Sequence, residues 1–235
     1  MSFLNAEWRK LALINYEIDE ELLKDYLPFK TELDKWNDTT YISLVGFMFQ
    51  NTRMLGFKIP FHVNFEEVNL RFYVRYKDGT TWKRGVVFIK EIVPKSALTF
   101  VANTLYGEHY ETKKMKHLWQ LKDQSRITRY EWKCKNKWQT IHIESSKETF
   151  PIAENSEAEF ITEHYWGYTK RNEKTTFEYE VTHPKWEAYN IHDFDVEVDY
   201  GMVYGDRFSI LNGQKPLSVM LAEGSEITVE GKRRI

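Results

Sequence analysis

Apolar residues alternate with polar ones, or run continuously over short stretches, along most of the chain. The segment 40–49 is rich in β-branched and aromatic residues and predicts a mostly buried strand. The segment 63–76 alternates strictly, with Val68, Leu70 and Phe72 on one face. Strands therefore dominate the predicted structure. Similar patterns predict further strands at 85–92, 127–134, 138–145, 175–182, 194–199 and 216–222.

Signals for helices are few and short. Asp19 is a candidate cap for a helix over 20–27, which ends at a proline. Pro94 favours the start of a helix over 95–106, with Gly107 just past its end.

A third helix is predicted by a capping-box pattern. Ser156 and Glu159 have the required spacing and open a helix near 158–165. Many strands with few, scattered helices indicate a β-rich fold, all-β to α+β, built as a barrel or sandwich. No Gly/Ser/Pro-rich linker divides the sequence, so residues 1–235 are expected to form a single domain.

Composition and charge exclude several classes of protein. The 235 residues contain 33 Lys+Arg and 35 Asp+Glu, a formal charge of −2, which argues against a nucleic-acid binder that depends on a basic surface. The longest apolar run, 42–49, is far shorter than the about 20 residues of a membrane span. The N-terminus lacks the pattern of a secretory signal, and Cys134 is the single cysteine, so we expect a cytoplasmic protein without intrachain disulfides.

The polar face of the segment 63–76 is the first candidate site. Strict alternation places Glu67, Asn69 and Arg71 on one side, each about 7 Å from the next. On an exterior face they form a solvated polar strip, which is the usual arrangement. Facing a cavity, they instead offer a carboxylate and a guanidinium to a ligand.

Two adjacent lysines form the second candidate site. Lys113 and Lys114, if partly buried, would repel each other and lose solvation. Both effects would lower the amine pKa and leave a nucleophile able to form a Schiff base with a carbonyl compound. The alternative is a solvated lysine run, since Lys116 continues it.

Motifs for metals and nucleotides are absent from the sequence. The seven histidines form no His-Glu-x-x-His pattern and no paired-ligand spacing with acids, so no metal site is predicted. There is no Walker A loop, no Gly-x-Gly-x-x-Gly and no serine nucleophile elbow. We therefore expect neither a metal nor another cofactor.

Motifs in a consistent order, from Trp8 to Trp186, resemble a known family. They are Trp8-x-x-Leu11, Asn15-Tyr16, Leu27-Pro28, Leu33-Asp34, Tyr41-x-Ser43-Leu44-Val45-x-Phe47, Phe65-x-Glu67-Val68-Asn69-Leu70-Arg71-x-Tyr73-Val74, Gly85-Val86-Val87-Phe88, Phe160-x-Thr162-Glu163-x-Tyr165-Trp166-x-Tyr168 and Val181-x-His183-Pro184-x-Trp186. With these motifs the chain resembles the YqjF-like family of uncharacterised bacterial proteins, in the acetoacetate-decarboxylase-like superfamily. The resemblance implies a closed or conical antiparallel β-barrel with a central cavity.

The resemblance also implies roles for the two candidate sites. In acetoacetate decarboxylases a lysine pair supplies the Schiff-base lysine and a neighbour that lowers its pKa, which is a well-known example of an activated lysine nucleophile. By this match Lys113 would be the nucleophile, Lys114 its electrostatic partner and Glu67 a pocket carboxylate. Asn69 and Arg71 would hold the ligand's oxygen atoms.

The same segment contains one further expected ligand contact. Where the family is expected to have Leu-Pro-Tyr, this chain has 108–110, and it keeps the tyrosine, Tyr110. Small and Arg-like residues are then expected where this chain has Lys113 and Lys114. The pair is therefore a departure from the family pattern.

Two functions from different classes follow from these observations. The first is a Schiff-base decarboxylase or related lyase acting at Lys113 on a keto acid or related carbonyl compound. The second is a non-catalytic barrel that binds or senses a small carboxylate or carbonyl compound. A weaker third is a structural interaction protein whose aromatic residues fill a core. The sequence leaves open whether the protein is an enzyme, which ligand it takes and its oligomeric state.

Overall fold

A computed structural model describes residues 2–101, 103–104 and 109–235. Within these residues the chain is β-rich, as predicted, and its strands belong to one 14-stranded sheet. The strands are β1 (Leu4–Glu17), β2 (Thr31–Leu33), β3 (Tyr41–Met54), β4 (Phe65–Asp78), β5 (Thr81–Val93), β6 (Tyr110–Thr112), β7 (Met115–Leu121), β8 (Arg126–Cys134), β9 (Lys137–Pro151), β10 (Trp166–Asn172), β11 (Thr175–Thr182), β12 (Glu187–Glu197), β13 (Ser218–Val229) and β14 (Arg233–Arg234).

The order of the strands in the sheet brings distant parts of the chain together. The main path runs β14-β11-β10-β5-β4-β3-β1-β13-β12-β9-β8-β7, with β2 on β4 and β6 on β5. In addition, β11 pairs with β13 through Val181 with Val229 and Thr182 with Thr228. The pairings therefore lead from β13 through β1, β3, β4, β5, β10 and β11 back to β13. Among the described pairs, β5 is parallel to β10 and to β6, and the others are antiparallel.

Strand β4 is buried on both faces, which is why it positions so many side chains. Leu70 and Phe72 pack in one hydrophobic cluster together with Tyr130 and Trp132 of β8. Tyr73 belongs to a second cluster on the opposite face. Burial of one such large apolar side chain contributes about 2 kcal/mol to folding, so both faces of β4 are fixed by packing.

The described helices are short and sit between strands. The α-helices are α1 (Ser96–Val101), α2 (Glu157–Thr162) and α3 (Tyr200–Tyr204), and the 3-10 helices are Glu20–Leu22, Lys24–Tyr26 and Asp206–Leu211. None of the helices in the described ranges is long and apolar enough to cross a bilayer.

The outcomes of the three helix predictions differ. The capping box is confirmed, because Ser156 accepts a hydrogen bond from the Glu159 amide at 3.1 Å. Asp19 caps as expected, but its segment forms two 3-10 turns rather than one α-helix. The helix after Pro94 forms as α1, whereas the predicted end near Gly107 lies outside the described residues.

Candidate functional site

A cavity of about 140 Å³ lies against the second hydrophobic cluster. Strands β1, β3, β4, β5, β10, β11 and β13 all contribute to its wall. Large apolar side chains, among them Trp8, Phe47, Phe65 and Trp166, form most of it. Its polar lining residues are Glu67, Asn69, Arg71, Glu91, Tyr110, His164 and Tyr179.

The polar strip of β4 belongs to this wall. Glu67, Asn69 and Arg71 are 2 %, 1 % and 7 % exposed, and all three line the cavity. The polar strip of β4 therefore does not lie on a solvated exterior face, which is the usual arrangement for such a strip. Their odd-numbered positions place them on the side opposite Leu70 and Phe72, which the first cluster occupies.

Glu67 is held by two hydrogen bonds from cavity residues. Asn69 Nδ2 donates to Glu67 Oε1 at 3.0 Å, and the Tyr110 hydroxyl donates to Glu67 Oε2 at 3.2 Å. Burial raises the pKa of Tyr110 well above its ordinary value, and the charges of Glu67 and Glu91 add to this effect. Tyr110 therefore keeps its proton and acts as the donor, and Glu67 is the acceptor.

A second carboxylate, Glu91, was not anticipated from the sequence. It lies directly across from Asn69 on β4 and beside Tyr110 on β6, and it is 2 % exposed. One acidic residue within the apolar run 85–93 was the signal that could have revealed it. With Glu67 and Tyr110 it makes one end of the cavity acidic.

Arg71 brings a positive charge to the same wall. Among the described residues its side chain makes no ion pair and no hydrogen bond, and its Nε is buried without a partner. The guanidinium lies over the Tyr73 ring, 5.8 Å from the ring centre. A buried cation normally has an anionic partner, so this one is available to an anionic ligand.

A buried histidine for which no role was predicted also lines the cavity. His164 Nε2 lies 3.1 Å from Asp34 Oδ2, which also accepts a hydrogen bond from Arg84 Nε at 2.6 Å. Burial lowers the pKa of His164 to about 4, with Arg84 and Arg71 adding to the effect and Asp34 opposing it. The imidazole is therefore neutral at neutral pH. No motif marks a histidine paired with an aspartate 130 residues away.

The lysine pair lies apart from these groups. Neither Lys113 nor Lys114 is among the residues lining the cavity. Lys113 Nζ forms an ion pair with Glu111 at 2.5 Å, and Lys114 is exposed. Alternation explains this placement: Tyr110 faces the cavity, so Glu111 and Lys113, one and three positions later, face the other side.

Within the described residues, no group of three or more His, Cys, Asp or Glu side chains is arranged to hold a metal ion. The cavity's polar groups are one guanidinium, two carboxylates, two phenols, an amide and an imidazole. Such a set can bind an anion, donate hydrogen bonds and exchange protons.

Solved structures of enzymes share this fold at low sequence identity. The acetoacetate decarboxylase from Legionella pneumophila subsp. pneumophila str. Philadelphia 1 matches 99% of this chain and 86% of its own, with a TM-score of 0.67 and 13% identity. The enduracididine biosynthesis enzyme MppR, with HEPES buffer bound, matches all of this chain and 88% of its own, with a TM-score of 0.71 and 12% identity. MppR complexed with pyruvate gives a TM-score of 0.68 at 11% identity, over all of this chain and 91% of that one. The expected acetoacetate-decarboxylase-like fold is thereby confirmed.

Sequence relatives show the family. The uncharacterized protein YqjF of Bacillus subtilis (strain 168) is 33% identical over 86 residues, which are 36% of this chain and 34% of that protein. The match thus spans about a third of the curated relative's length. The family DUF2071, described as uncharacterized conserved protein (COG2071), matches residues 5–226. The resemblance drawn from the sequence motifs is confirmed, and the chain belongs to the DUF2071 family.

Proposed function

We propose that the protein binds a small organic carboxylate in this cavity and that Arg71 holds the carboxylate. The observation that carries the proposal is the buried Arg71 guanidinium, which has no ionic partner among the described residues. We further propose that β13, β1, β3, β4, β5, β10 and β11 form a closed barrel around the cavity. The pairing of β11 with β13 supports that closure.

The energetics favour an anion at Arg71. Removing a guanidinium from water is costly unless a partner restores its hydrogen bonds and balances its charge. A carboxylate does both, because its two oxygens match the planar fork of the guanidinium. The apolar wall of Trp8, Phe47 and Phe65 would then take up the carbon skeleton of the ligand.

The neighbouring polar groups of the cavity, Glu67, Asn69 and Tyr110, support proton exchange with the bound molecule, a lyase-type chemistry. Glu67 accepts from Tyr110, so a proton can pass between the carboxylate and a ligand oxygen through the phenol. Asn69 Oδ1 is buried without a partner in the described part of the chain and can accept a hydrogen bond from the ligand. A keto acid offers the carboxylate for Arg71, and its enol form carries an O–H that can donate to the Tyr110 oxygen.

A second candidate is a Schiff-base lyase that uses Lys113 with Lys114. The likeness of the fold to acetoacetate decarboxylase and to a pyruvate complex of MppR favours it. It requires the Lys113 amine to leave Glu111 and enter the cavity, because the ion pair holds the amine away from the lining residues.

Binding of a matched pair of probes tests the first proposal. Butyrate and butyramide have nearly the same size and differ in charge, so calorimetric titration with each isolates the role of the carboxylate. We expect butyrate and pyruvate to bind to the wild type and butyramide to bind at least about tenfold more weakly. Arg71→Gln should lose the carboxylate binding.

Arg75→Gln is the control for this titration. Arg75 lies on the same strand but forms an exposed ion pair with Glu32, away from the cavity. We expect this variant to bind butyrate as the wild type does. Equal binding of butyrate by Arg71→Gln and the wild type would refute the proposed role of Arg71.

A further inference from the structure

His164 is held in one orientation by its neighbours. Its Nε2 contacts Asp34 Oδ2 at 3.1 Å, and its ring packs against Tyr73 and Phe160, with centroids 4.7 and 5.1 Å away. Asp34 in turn accepts from Arg84 Nε at 2.6 Å. His164 and Asp34 are buried, at 8 % and 5 % exposed, so the ring has little room to turn.

These contacts fix the tautomer of His164. The hydrogen bonds from His164 and Arg84 hold the pKa of Asp34 below its ordinary value, even though burial opposes this. Asp34 is therefore a carboxylate and can only accept, so Nε2 must carry the proton and donate it. Arg84 also approaches Nε2, at 3.4 Å, but a protonated Nε2 cannot accept from it. Nδ1 is then left with a lone pair.

That lone pair has no donor in the protein. Nδ1 is buried and lacks a hydrogen-bond partner among the described residues, while His164 lines the cavity. A buried acceptor without a donor is destabilising, and a ligand that supplies the donor removes that cost. Arg71 and His164 line the same cavity and both lie near the Tyr73 ring, at 5.8 and 4.7 Å from its centre, so one small molecule can contact both groups.

We propose that His164 Nδ1 accepts a hydrogen bond from a hydroxyl of the ligand whose carboxylate Arg71 holds, so that the cavity selects hydroxy acids, or the enol form of keto acids, over unsubstituted acids. This inference rests on the proposed carboxylate site. Asp34 is a positioning residue, since it acts by keeping the proton on Nε2. The interaction is a hydrogen bond alone and requires no other reactant.

Three probes that differ in one hydroxyl group test the inference. Butyrate, 2-hydroxybutyrate and 3-hydroxybutyrate are titrated calorimetrically into the wild type and into His164→Phe. In the wild type we expect at least one hydroxy acid to bind about fivefold more tightly than butyrate, as one added hydrogen bond allows. In His164→Phe that preference should disappear while butyrate still binds.

A second measurement uses only the wild-type protein, so it does not require that a variant folds. Nitrogen-15 NMR of histidine-labelled wild type reports the tautomer of each imidazole. We expect His164 to be protonated at Nε2, and its Nδ1 signal to move on adding the preferred hydroxy acid but not butyrate. An Nδ1-protonated His164 would overturn the inference.

The possible results distinguish a failure of this inference from a failure of the proposed carboxylate site at Arg71. If butyrate fails to bind to the wild type, the carboxylate site itself is wrong, and the inference falls with it. If butyrate binds and neither hydroxy acid is preferred, or the preference survives in His164→Phe, the role of His164 alone is refuted.

Discussion

The Tyr110 hydroxyl lies 3.2 Å from Glu67 Oε2, which ties the short strand β6 to β4 inside the cavity. Tyr110 belongs to the segment in which Lys113 was expected to be the reactive residue, and Glu67 belongs to the polar strip of β4. Tyr110, rather than Lys113, is thus the residue through which this segment reaches the cavity.

Loss of the Tyr110 hydroxyl should destabilise the protein. Tyr110→Phe removes the donor to a buried carboxylate, and a hydrogen bond to a charged group contributes about 1.5–3 kcal/mol. We expect a loss of that size in the free energy of unfolding, measured with urea. Tyr76→Phe is the matched control, because the Tyr76 hydroxyl makes no hydrogen bond within the described residues, and its cost should be near zero. Equal costs for the two variants would contradict the described contact.

The alternation along β4 predicted that Glu67, Asn69 and Arg71 share a side, but it could not predict which side faces a cavity. A period of two determines which residues share a face of the strand. Which face lines the cavity depends on the packing of β8 against Leu70 and Phe72. The same alternation, applied to the segment 110–113, would have placed Tyr110 and Lys113 on opposite faces.

Six of the described strands escaped prediction. β2, β6 and β14 are only two or three residues long, and the three longer strands were missed for identifiable reasons. In β1 the polar run Arg9-Lys10 interrupts the pattern, and the structure has a bulge there, with Lys10 at a φ of 54°. β7 is largely exposed, and its apolar residues, Met115, Leu118, Trp119 and Leu121, do not alternate with polar ones. β10 has only two large apolar residues, Trp166 and Tyr168, before the polar run 169–172.

Among the cavity residues, Asp34 and His164 could not have been paired from sequence. They are 130 positions apart, and their contact depends on the pairing of β10 with β5 and on the packing of Phe160 in α2 against Tyr73. Such long-range pairs follow from tertiary structure and leave no periodic pattern in the chain.

Buried His164 should make stability depend on pH. Burial lowers its pKa to about 4 from the ordinary 6.5, so the folded protein keeps it neutral while the unfolded chain binds a proton below pH 6.5. The stabilisation is therefore complete above pH 6.5 and is lost as pH falls towards 4, by about 3 kcal/mol in total. Urea unfolding between pH 7 and 4.5 should show a steeper loss in the wild type than in His164→Phe.

The control for this pH series is His192→Gln, at an exposed histidine. His183 also has a lowered pKa because it is buried, but it is present in every variant and cancels in the comparison. Wild-type and His164→Phe proteins with the same pH dependence would show that His164 titrates normally.

Lys113 should not form a Schiff base. Its Nζ is paired with Glu111 and lies apart from the residues that line the cavity, so it does not reach a carbonyl compound bound there. Borohydride reduction in the presence of pyruvate or acetoacetate, followed by peptide mass analysis, should give no adduct at Lys113. Lys113→Ala and Lys114→Ala serve as controls. An adduct that is present in the wild type and lost in Lys113→Ala would instead support the Schiff-base lyase.

The parallel junction between β5 and β10 should tolerate no side chain at Gly85. A Cβ at this position would lie 2.4 Å from the backbone oxygen of Trp166 and 2.6 Å from the Tyr168 ring, and Gly85 pairs directly with Trp166. The backbone oxygen cannot move aside without separating the strands, so Gly85→Ala should cost about 3 kcal/mol of unfolding free energy. Gly231→Ala is the control, since no atom lies within 4 Å of its added Cβ. Hydrogen exchange should also accelerate at the amides of β5 and β10 in Gly85→Ala, because this junction connects β5 to the strands that lead back to β13. If Gly85→Ala is as stable as Gly231→Ala and its amides exchange no faster, the two strands do not meet as closely as described.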